Sequence, residues 1–340
     1  MTINPKKRID ELDSLRGIAA IIVVLYHYTF RFEELFNFKF ITKYFNVPYG
    51  HYGVELFFAI SGFVIFMSIE KINNPFKFLY KRFVRLYPTF WVGMILSFIC
   101  ISLFGPELLK VNISEFLINF TMIPSFFNID SVDGVYWTLK VEMFFYLVIF
   151  LVLLLKKKES YKLFGYIYIL MGTISFIVLK PTYYYFYGSL FLIGINFYKI
   201  WKGTSDWQNH LQIFICLGLT LFYPKLEFFA VTTLIVFIFY LMVFGKLKFL
   251  KISILLFLGK ISYSLYLIHQ YLGYTIQLKL IYAGIENFIV LLIIPLLISI
   301  LIASLITFYI EKPIISFLSK KEPYRIKAQN GAKIAQYFKQ

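Results

Sequence analysis

The chain has 340 residues, of which 60% are hydrophobic, 21% aromatic and 15% charged, and its mean hydropathy is +0.74. A soluble domain is nearer half apolar, with about a quarter of its residues charged, so the composition excludes an ordinary soluble protein and points to an all-α, polytopic membrane bundle. The formal charge of +16 does not indicate a nucleic-acid binder, because Lys and Arg fall in short runs between apolar stretches, where they orient a chain in the bilayer.

The N-terminal MTINPKKRIDELDSLRG opens basic and leads into an apolar run, as a signal peptide does, but the LYHYTFRFEE that follows is bulky and polar, without a small-residue cleavage site. The first span is therefore expected to stay in the mature protein. Stretches long enough to cross about 30 Å of hydrocarbon lie near 15–31, 53–70, 87–104, 136–155, 163–180, 183–200, 210–224, 227–245, 252–276 and 287–310. That predicts ten spanning helices in one membrane domain, 1–318, followed by a basic tail, 319–340. Two pairs read as tight hairpins, closed by Lys180-Pro181-Thr182 and by Pro224-Lys225. Cys100 and Cys216 sit inside predicted spans without a C-x-x-C or His-rich neighbourhood, and read as packing residues.

Alternate connections differ in charge. One set, which includes both tails, holds 24 of the 34 basic residues; the other holds seven. The positive-inside rule makes the rich set cytoplasmic, with both termini inside. The segment from Gly105 to Val135, with four acids and only Lys110 as a base, suits an external loop. No internal repeat and no paired, glycine-broken helices of the transporter kind are visible. The tail is expected to touch anionic membrane lipid.

An ionisable residue in a spanning helix costs about 2.5–3.5 kcal/mol on insertion scales, so such residues imply a polar interior. Arg16 and His27 stand eleven residues apart in DSLRGIAAIIVVLYHY, which puts them on nearly one helical face, separated by about 16 Å. With the topology above, Arg16 is near the cytoplasmic surface and His27 near the external one. Glu55 of HYGVELFFAISGFVI, Glu142 of YWTLKVEMFFYL and His269 of ISYSLYLIHQ are expected at depths similar to His27, gathering four ionisable groups from four helices. On the other side, Arg82 and Arg85 share a face of YKRFVRLYP and, with Arg16, suit phosphate, which guanidinium groups hold through paired, charge-assisted bonds.

Each of these residues also has a structural explanation. His27 or His269 suits a satisfied packing role, Arg16 a snorkelling anchor, Arg82 and Arg85 plain topology signals, Glu55 and Glu142 helix clamps. The many Tyr and Phe suit interface belts, though Tyr183 to Tyr187 also suit the lining of an external acceptor cleft.

Five segments, LDSLRGIAAIIVVLYH, GVELFFAISGFVI, YKRFVRLYPTFW, YWTLKVEMFFYL and ISYSLYLIH, give the chain a resemblance to the membrane acyltransferase-3 family, whose members attach acyl groups, often acetyl, to cell-surface sugars. They occur in the family's order from Leu12 to His269. The resemblance implies that Arg16 and His27 are required for acyl transfer, that Arg82 and Arg85 match the family's arginine segment, and that Glu55 matches a position commonly Asp or Glu. Lys140 departs from the pattern, where a smaller or apolar residue is expected, and leaves open a pairing with Glu142. Some relatives carry an esterase-like domain after the last helix; this chain runs about thirty residues past its tenth span, so transfer is expected within the membrane domain or with a partner.

The resulting expectation is a multi-pass enzyme of the plasma (bacterial inner) membrane. It moves an acyl group from cytoplasmic acetyl-CoA, or another acyl-CoA, to a hydroxyl of a carbohydrate acceptor at the outer face. Arg82 and Arg85, with Arg16, bind the donor phosphates. His27 serves as general base, oriented or made more basic by Glu55 or Glu142, or as covalent acyl carrier, and His269 is a further catalytic candidate. No metal is expected; envelope-polysaccharide assembly proteins are candidate partners. Two rival classes stand beside it, a transporter or flippase for a glycan or small organic acid, and a noncatalytic scaffold of an assembly complex.

Overall fold

The computed structural model describes residues 9–70, 72, 74–155, 160–179 and 183–320. The N-tail before residue 9, the Lys180-Pro181-Thr182 turn and the tail from residue 321 onward lie outside the described residues, as do the side chains of Tyr183 to Tyr185. Regular structure among the described residues is helical throughout: α1 Asp10–Tyr26, α2 Phe32–Phe36, α3 Gly53–Ile69, α4 Pro75–Phe104, α5 Ile113–Asn119, α6 Trp137–Leu154, α7 Tyr161–Leu179, α8 Tyr183–Lys202, α9 Trp207–Leu219, α10 Leu226–Val243, α11 Ser253–Tyr282, α12 Phe288–Leu305 and α13 Lys312–Lys320. Two π-helical turns, His27–Arg31 and Ile306–Glu311, join α1 to α2 and α12 to α13.

Every expected span falls on a helix, and six stretches are long and apolar enough to cross a membrane: Asp10–Phe36, Gly50–Ile69, Pro75–Phe104, Gly134–Leu154, Leu226–Val243 and Phe288–Lys320. The other four expected spans coincide with α7, α8, α9 and α11. With 13 residues, α9 is about 20 Å long, short of the hydrocarbon thickness. The interior of α11 carries Lys260, His269, Gln270 and Gln277, which lowers its apolar content. The segment holding Arg82 and Arg85 is no separate element. It forms the first half of α4, started by Pro75 and by Asn74, whose side chain accepts the Lys77 N–H at 3.1 Å.

The bundle exposes large apolar side chains, and its largely apolar interior also encloses polar ones. Leu103, Leu170 and Leu301 are exposed on helix faces, whereas Ser97, Ser189, Asn196 and Ser299 are buried, the distribution that a hydrocarbon solvent favours. Buried polar groups pair between helices, as in the Asn196, Asn209 and Gln212 cluster, where Asn209 Nδ2 donates to Asn196 Oδ1 at 2.7 Å and Asn196 Nδ2 donates to Gln212 Oε1 at 3.1 Å.

At the centre, α1 and α11 run parallel. Ser14 Oγ donates to the Leu250 carbonyl at 2.7 Å, Gly17 packs on Leu255 and Gly259, and Tyr28 lies under Gly273. Against α1, α3 runs antiparallel, with Gly50 beside Ile22 and Tyr26 and Gly53 beside Ala19. Small residues let such backbones approach closely where no hydrophobic effect drives helix association. A Cβ at Gly259 would stand 1.9 Å from the Asp13 carbonyl oxygen. Just past the end of α3, Glu70 ties that helix to α8, accepting from Tyr198 Oη at 2.7 Å, Lys199 Nζ at 2.9 Å and Lys202 Nζ at 2.5 Å. Burial works to raise the Glu70 pKa, but the hydrogen bonds from Lys202, Lys199 and Tyr198 outweigh it and hold the carboxyl down at about 2.

Two outcomes follow from this packing. Gly259→Leu should lose about 1–3 kcal/mol or more through overpacking, seen as a lower melting temperature in detergent. Gly218→Ala, where nothing lies within 4 Å of the added Cβ, should match or exceed wild type, since Ala suits a helix better than Gly. For Glu70, the folded value lies below the ordinary 4.5, so its contribution is complete above about pH 4.5 and is lost as pH falls through about 2. The stability gap between wild type and Glu70→Gln should therefore close between about pH 5 and pH 2; a gap independent of pH would contradict the clamp.

Candidate functional site

A cavity of about 220 Å³ opens between α1, α3, α4, α6 and α11, and Arg16, Arg82, Arg85, Glu142, Tyr146 and Tyr266 are among its lining residues. The three arginines expected to act together do meet. Arg16 Nη1 lies 3.4 Å from Asp13 Oδ1, one turn back on α1. Arg82 donates from Nη2 to Ser68 Oγ at 3.0 Å, and its guanidinium stacks 5.5 Å from the Phe78 ring and 5.7 Å from the Tyr146 ring. Its Nε is buried without a hydrogen-bond partner among the described residues, an orphan donor of the kind that a bound anion satisfies.

Arg85 forms an ion pair with Glu311 and stacks 5.1 Å from the Tyr263 ring. Glu311 is the last residue of the second π-helical turn. It also accepts from Ser264 Oγ at 3.1 Å, which in turn accepts from Thr307 Oγ1 at 2.8 Å. The tenth expected span stops at 310, one residue short of Glu311. The available signal is an acid following the apolar run ITFYI, at a depth where it must pair.

Glu142 belongs to this cationic end. Its carboxylate accepts from Tyr146 Oη and from Ser61 Oγ, the latter at 3.5 Å. Ser61 stands more than two turns along α3 from Gly53, moving away from His27, so the expected depth of Glu142 beside His27 is corrected. The same antiparallel register corrects Glu55. Gly53 faces Ala19, so Glu55, two residues farther along α3, stands offset from His27 by about 12–15 Å in depth. Glu55 is buried, does not line the cavity, and leaves Oε2 without a partner among the described residues. The Glu142 carboxylate turns to Tyr146 and Ser61.

The histidines form the second centre. His269 Nε2 lies 3.0 Å from His27 Nδ1, so the expected meeting of α1 and α11 at these residues holds. Hydrogen-bond partners assign the tautomers. His269 Nδ1 faces the carbonyls of Leu265 at 3.1 Å and Tyr266 at 2.8 Å; carbonyls only accept, so Nδ1 carries the hydrogen, and in a neutral ring Nε2 is left as acceptor. His27 Nδ1 faces that acceptor and the Val23 carbonyl at 2.9 Å, so it too carries a hydrogen. The lone pair of a neutral His27 is therefore on Nε2, which makes no hydrogen bond among the described residues. His27 opens the π-helical turn His27–Arg31, a local distortion common at functional sites.

The two centres are adjacent but not merged. Neither histidine lines the cavity, which ends at Thr138 and Tyr266, one helical turn short of His269. The walls there are held by Tyr266 Oη, which donates to the Val135 carbonyl at 3.0 Å and lies 2.9 Å from Thr138 Oγ1. Phe58, on the cavity wall, meets Tyr187 at 5.2 Å between ring centroids, and Tyr187 meets Trp137 at 5.3 Å. Tyr187, from the aromatic run singled out in the sequence, thus reaches the edge of the site. No group of three or more metal-ligating side chains occurs among the described residues.

Replacing Arg85 by Met should strand the Glu311 carboxylate, at a cost of about 1–3 kcal/mol, measurable by thermal melting of purified protein. The Arg85→Met/Glu311→Met double variant should recover most of that loss, because no charge is then left buried alone. Additive losses would show that the pair carries no coupling.

Comparison with known proteins adds to this geometry. A family model described as an acyltransferase domain matches residues 9–309. The chain is 27% identical over 198 residues to peptidoglycan O-acetyltransferase OatA of Listeria monocytogenes, a match covering 52% of this chain and 30% of that protein. It is 27% identical over 278 residues to ORF330 of Acidianus two-tailed virus, covering 75% of this chain and 80% of the viral protein. Protein 2 in the picA locus of Rhizobium radiobacter is 34% identical over 114 residues, covering 31% of this chain and 53% of that protein. No solved structure matches the chain.

Proposed function

The chain belongs to the acyltransferase-3 family, and from that membership we propose that it is an integral membrane O-acyltransferase, moving an acyl group, acetyl by preference, from a coenzyme A thioester to a hydroxyl of a cell-surface carbohydrate. The observation that carries the proposal is the division of the interior into a three-arginine cavity at one end of α1 and a histidine pair, with one unengaged imidazole nitrogen, three turns away.

The donor set fits the donor. Arg16, Arg82 and Arg85 bring three permanent cations to one cavity, and the buried Arg82 Nε lacks a partner, which suits phosphate oxygens. At about 220 Å³ the cavity is smaller than sites that enclose a drug-sized ligand, about 300–1,000 Å³; it holds one part of a coenzyme A thioester, with the remainder extending outward. The thioester supplies an activated acyl group. The stripe from Arg16 to His27, about 16 Å, is comparable to the arm that separates the phosphates of such a donor from its thioester.

His27 Nε2, with its lone pair, takes the proton of the acceptor hydroxyl as that oxygen attacks the thioester carbonyl; the carbon–sulfur bond then breaks, and the coenzyme A thiolate leaves with the proton returned from His27 Nε2. Positive charge arising on His27 leaves its Nδ1–H donating to the Val23 carbonyl and to His269 Nε2, so the ring keeps its orientation through the step. His269 is thereby an acceptor for the imidazolium, in the place the sequence reading gave to Glu55 or Glu142. Glu142 is assigned to the cavity, where its charge offsets the arginines when no donor is bound. The reading includes ten crossings of the plasma membrane with both termini cytoplasmic, an orientation in which the arginine cavity would face the acyl-CoA pool and the histidines the outer face. The similarity to a peptidoglycan O-acetyltransferase of Listeria makes peptidoglycan a candidate acceptor among cell-surface glycans.

Incorporation of labelled acetyl from acetyl-CoA into surface glycan tests the proposal. His27→Ala, inserted in the membrane at wild-type abundance, should lower incorporation by about 10²–10⁴. Arg82→Ala should raise the donor KM and leave the acceptor KM unchanged. Full incorporation with His27→Ala would overturn the proposal, and glycan flux in proteoliposomes without any acyl donor would favour a transporter.

A further inference from the structure

We propose that Asp133, in the loop before α6, is a positioning residue for the histidine pair, acting through the turn of α11 that carries His269. The inference deepens the acyl-transfer reading and rests on it for its effect on turnover.

Asp133 is fully buried. Its Oδ1 caps the short turn Gly134–Tyr136 by accepting from the Val135 N–H at 3.2 Å. A cap needs no more. Yet Oδ2 reaches across to α11 and accepts from the Tyr271 N–H at 3.1 Å, eighteen residues into that helix. The partner expected for that N–H is the Leu267 carbonyl, one turn back, and this carbonyl accepts from Tyr136 Oη at 3.0 Å. Both members of one helical rung therefore have a second partner from the same loop. A third contact, from Tyr266 Oη to the Val135 carbonyl at 3.0 Å, anchors the turn from below. Residues 133–136 thus hold Tyr266, Leu267 and Tyr271, and His269 lies between them.

His269 needs this restraint, because its tautomer depends on backbone placement. The ring keeps hydrogen on Nδ1 only while the Leu265 and Tyr266 carbonyls face it, and only that tautomer presents Nε2 as an acceptor to His27 Nδ1. If His269 turned its other nitrogen, two N–H groups would oppose each other and His27 would rotate or change tautomer, removing the lone pair from Nε2. The loop is itself fixed from behind. Asn119 Oδ1 accepts from the Val132 N–H at 3.0 Å, while its Nδ2 donates to the Asp130 carbonyl at 3.0 Å. Asp133 is one of the four acids of the Gly105–Val135 segment and stands three residues before YWTLKVEMFFYL, but its partner on α11 is 138 residues away, too far for a local pattern to record.

Asp133→Asn keeps the side-chain volume but leaves one acceptor oxygen for two N–H groups, of Val135 and Tyr271, so the clamp loses a hydrogen bond whichever way the amide faces. The expected result is a kcat reduced about tenfold or more, since misplacement on the ångström scale can cost about 10²-fold, with the donor KM unchanged. In a His269→Gln background the same substitution should add less than about twofold, because Asp133 acts through the ring already removed. Histidine 15N spectra supply a readout that needs no turnover: wild type should show His269 protonated at Nδ1 alone, and Asp133→Asn a mixture of tautomers. Tyr136→Phe, which deletes one hydroxyl of the same clamp, should move kcat and spectrum in the same direction and serves if Asp133→Asn does not fold. Unchanged His269 signals, together with kcat losses that multiply in the double variant, would overturn the inference. Full activity of His27→Ala would remove the acyl-transfer reading instead, leaving the spectral coupling of Asp133 to His269 to stand or fall separately.

Discussion

The parallel contact between α1 and α11 is the constraint from which the rest of the interior follows. Gly17 and Gly259 let the two backbones touch, and because both helices run in one direction, equal steps along each keep their residues in register. Ten residues beyond Gly17 and ten beyond Gly259 stand His27 and His269, at 3.0 Å from each other. A wider or antiparallel crossing would leave two lone histidines among apolar side chains. The pair is thus a product of small residues far from it as much as of the imidazoles themselves.

A membrane interior makes such arrangements costly unless every polar group has a partner. The chain meets that demand by chaining partners between helices. The Arg85 and Glu311 charges meet on a path that continues through Ser264 to Thr307. Tyr28 Oη donates to the His269 carbonyl at 2.8 Å and meets Ser299 Oγ at 2.7 Å, so α12 supports the turn that holds the histidine pair. Among the described residues, the few buried side-chain atoms without hydrogen-bond partners, Arg82 Nε and Glu55 Oε2 included, are then informative by contrast. One lies on a residue lining the arginine cavity, where an anionic ligand would satisfy it. The other lies two residues from the α1–α3 contact, apart from both centres.

In the proposed acyl transfer, separation of the cations from the histidines would let one chain handle a charged donor and a neutral acyl step. Phosphate recognition requires several fixed positive charges, whereas a general base works best away from them, since neighbouring cations disfavour its protonation. Three helical turns of α1 lie between the two, and the Tyr266 and Thr138 hydroxyls close the cavity at the boundary. Glu142 and Glu311 both stand on the cationic side, Glu311 paired with Arg85 and Glu142 accepting from Tyr146 and Ser61.

Much of this is written along the chain. Hydropathy and the spacing of Arg16 and His27 establish helices, their long apolar faces and an ionisable stripe, because those properties depend on residues a few positions apart on one helix. The grouping of Arg82 with Arg85 and the placing of His269 toward the interior are legible for the same reason. What only the tertiary structure decided is depth and partnership between helices. The antiparallel register of α3 moved Glu55 away from His27, the path of α6 carried Glu142 to the arginines, and the docking of loop 133–136 on α11 brought in Asp133. Register between helices is set by which small residues interlock and which buried groups find partners, and that information is spread over residues tens to hundreds of positions apart, where no local pattern records it.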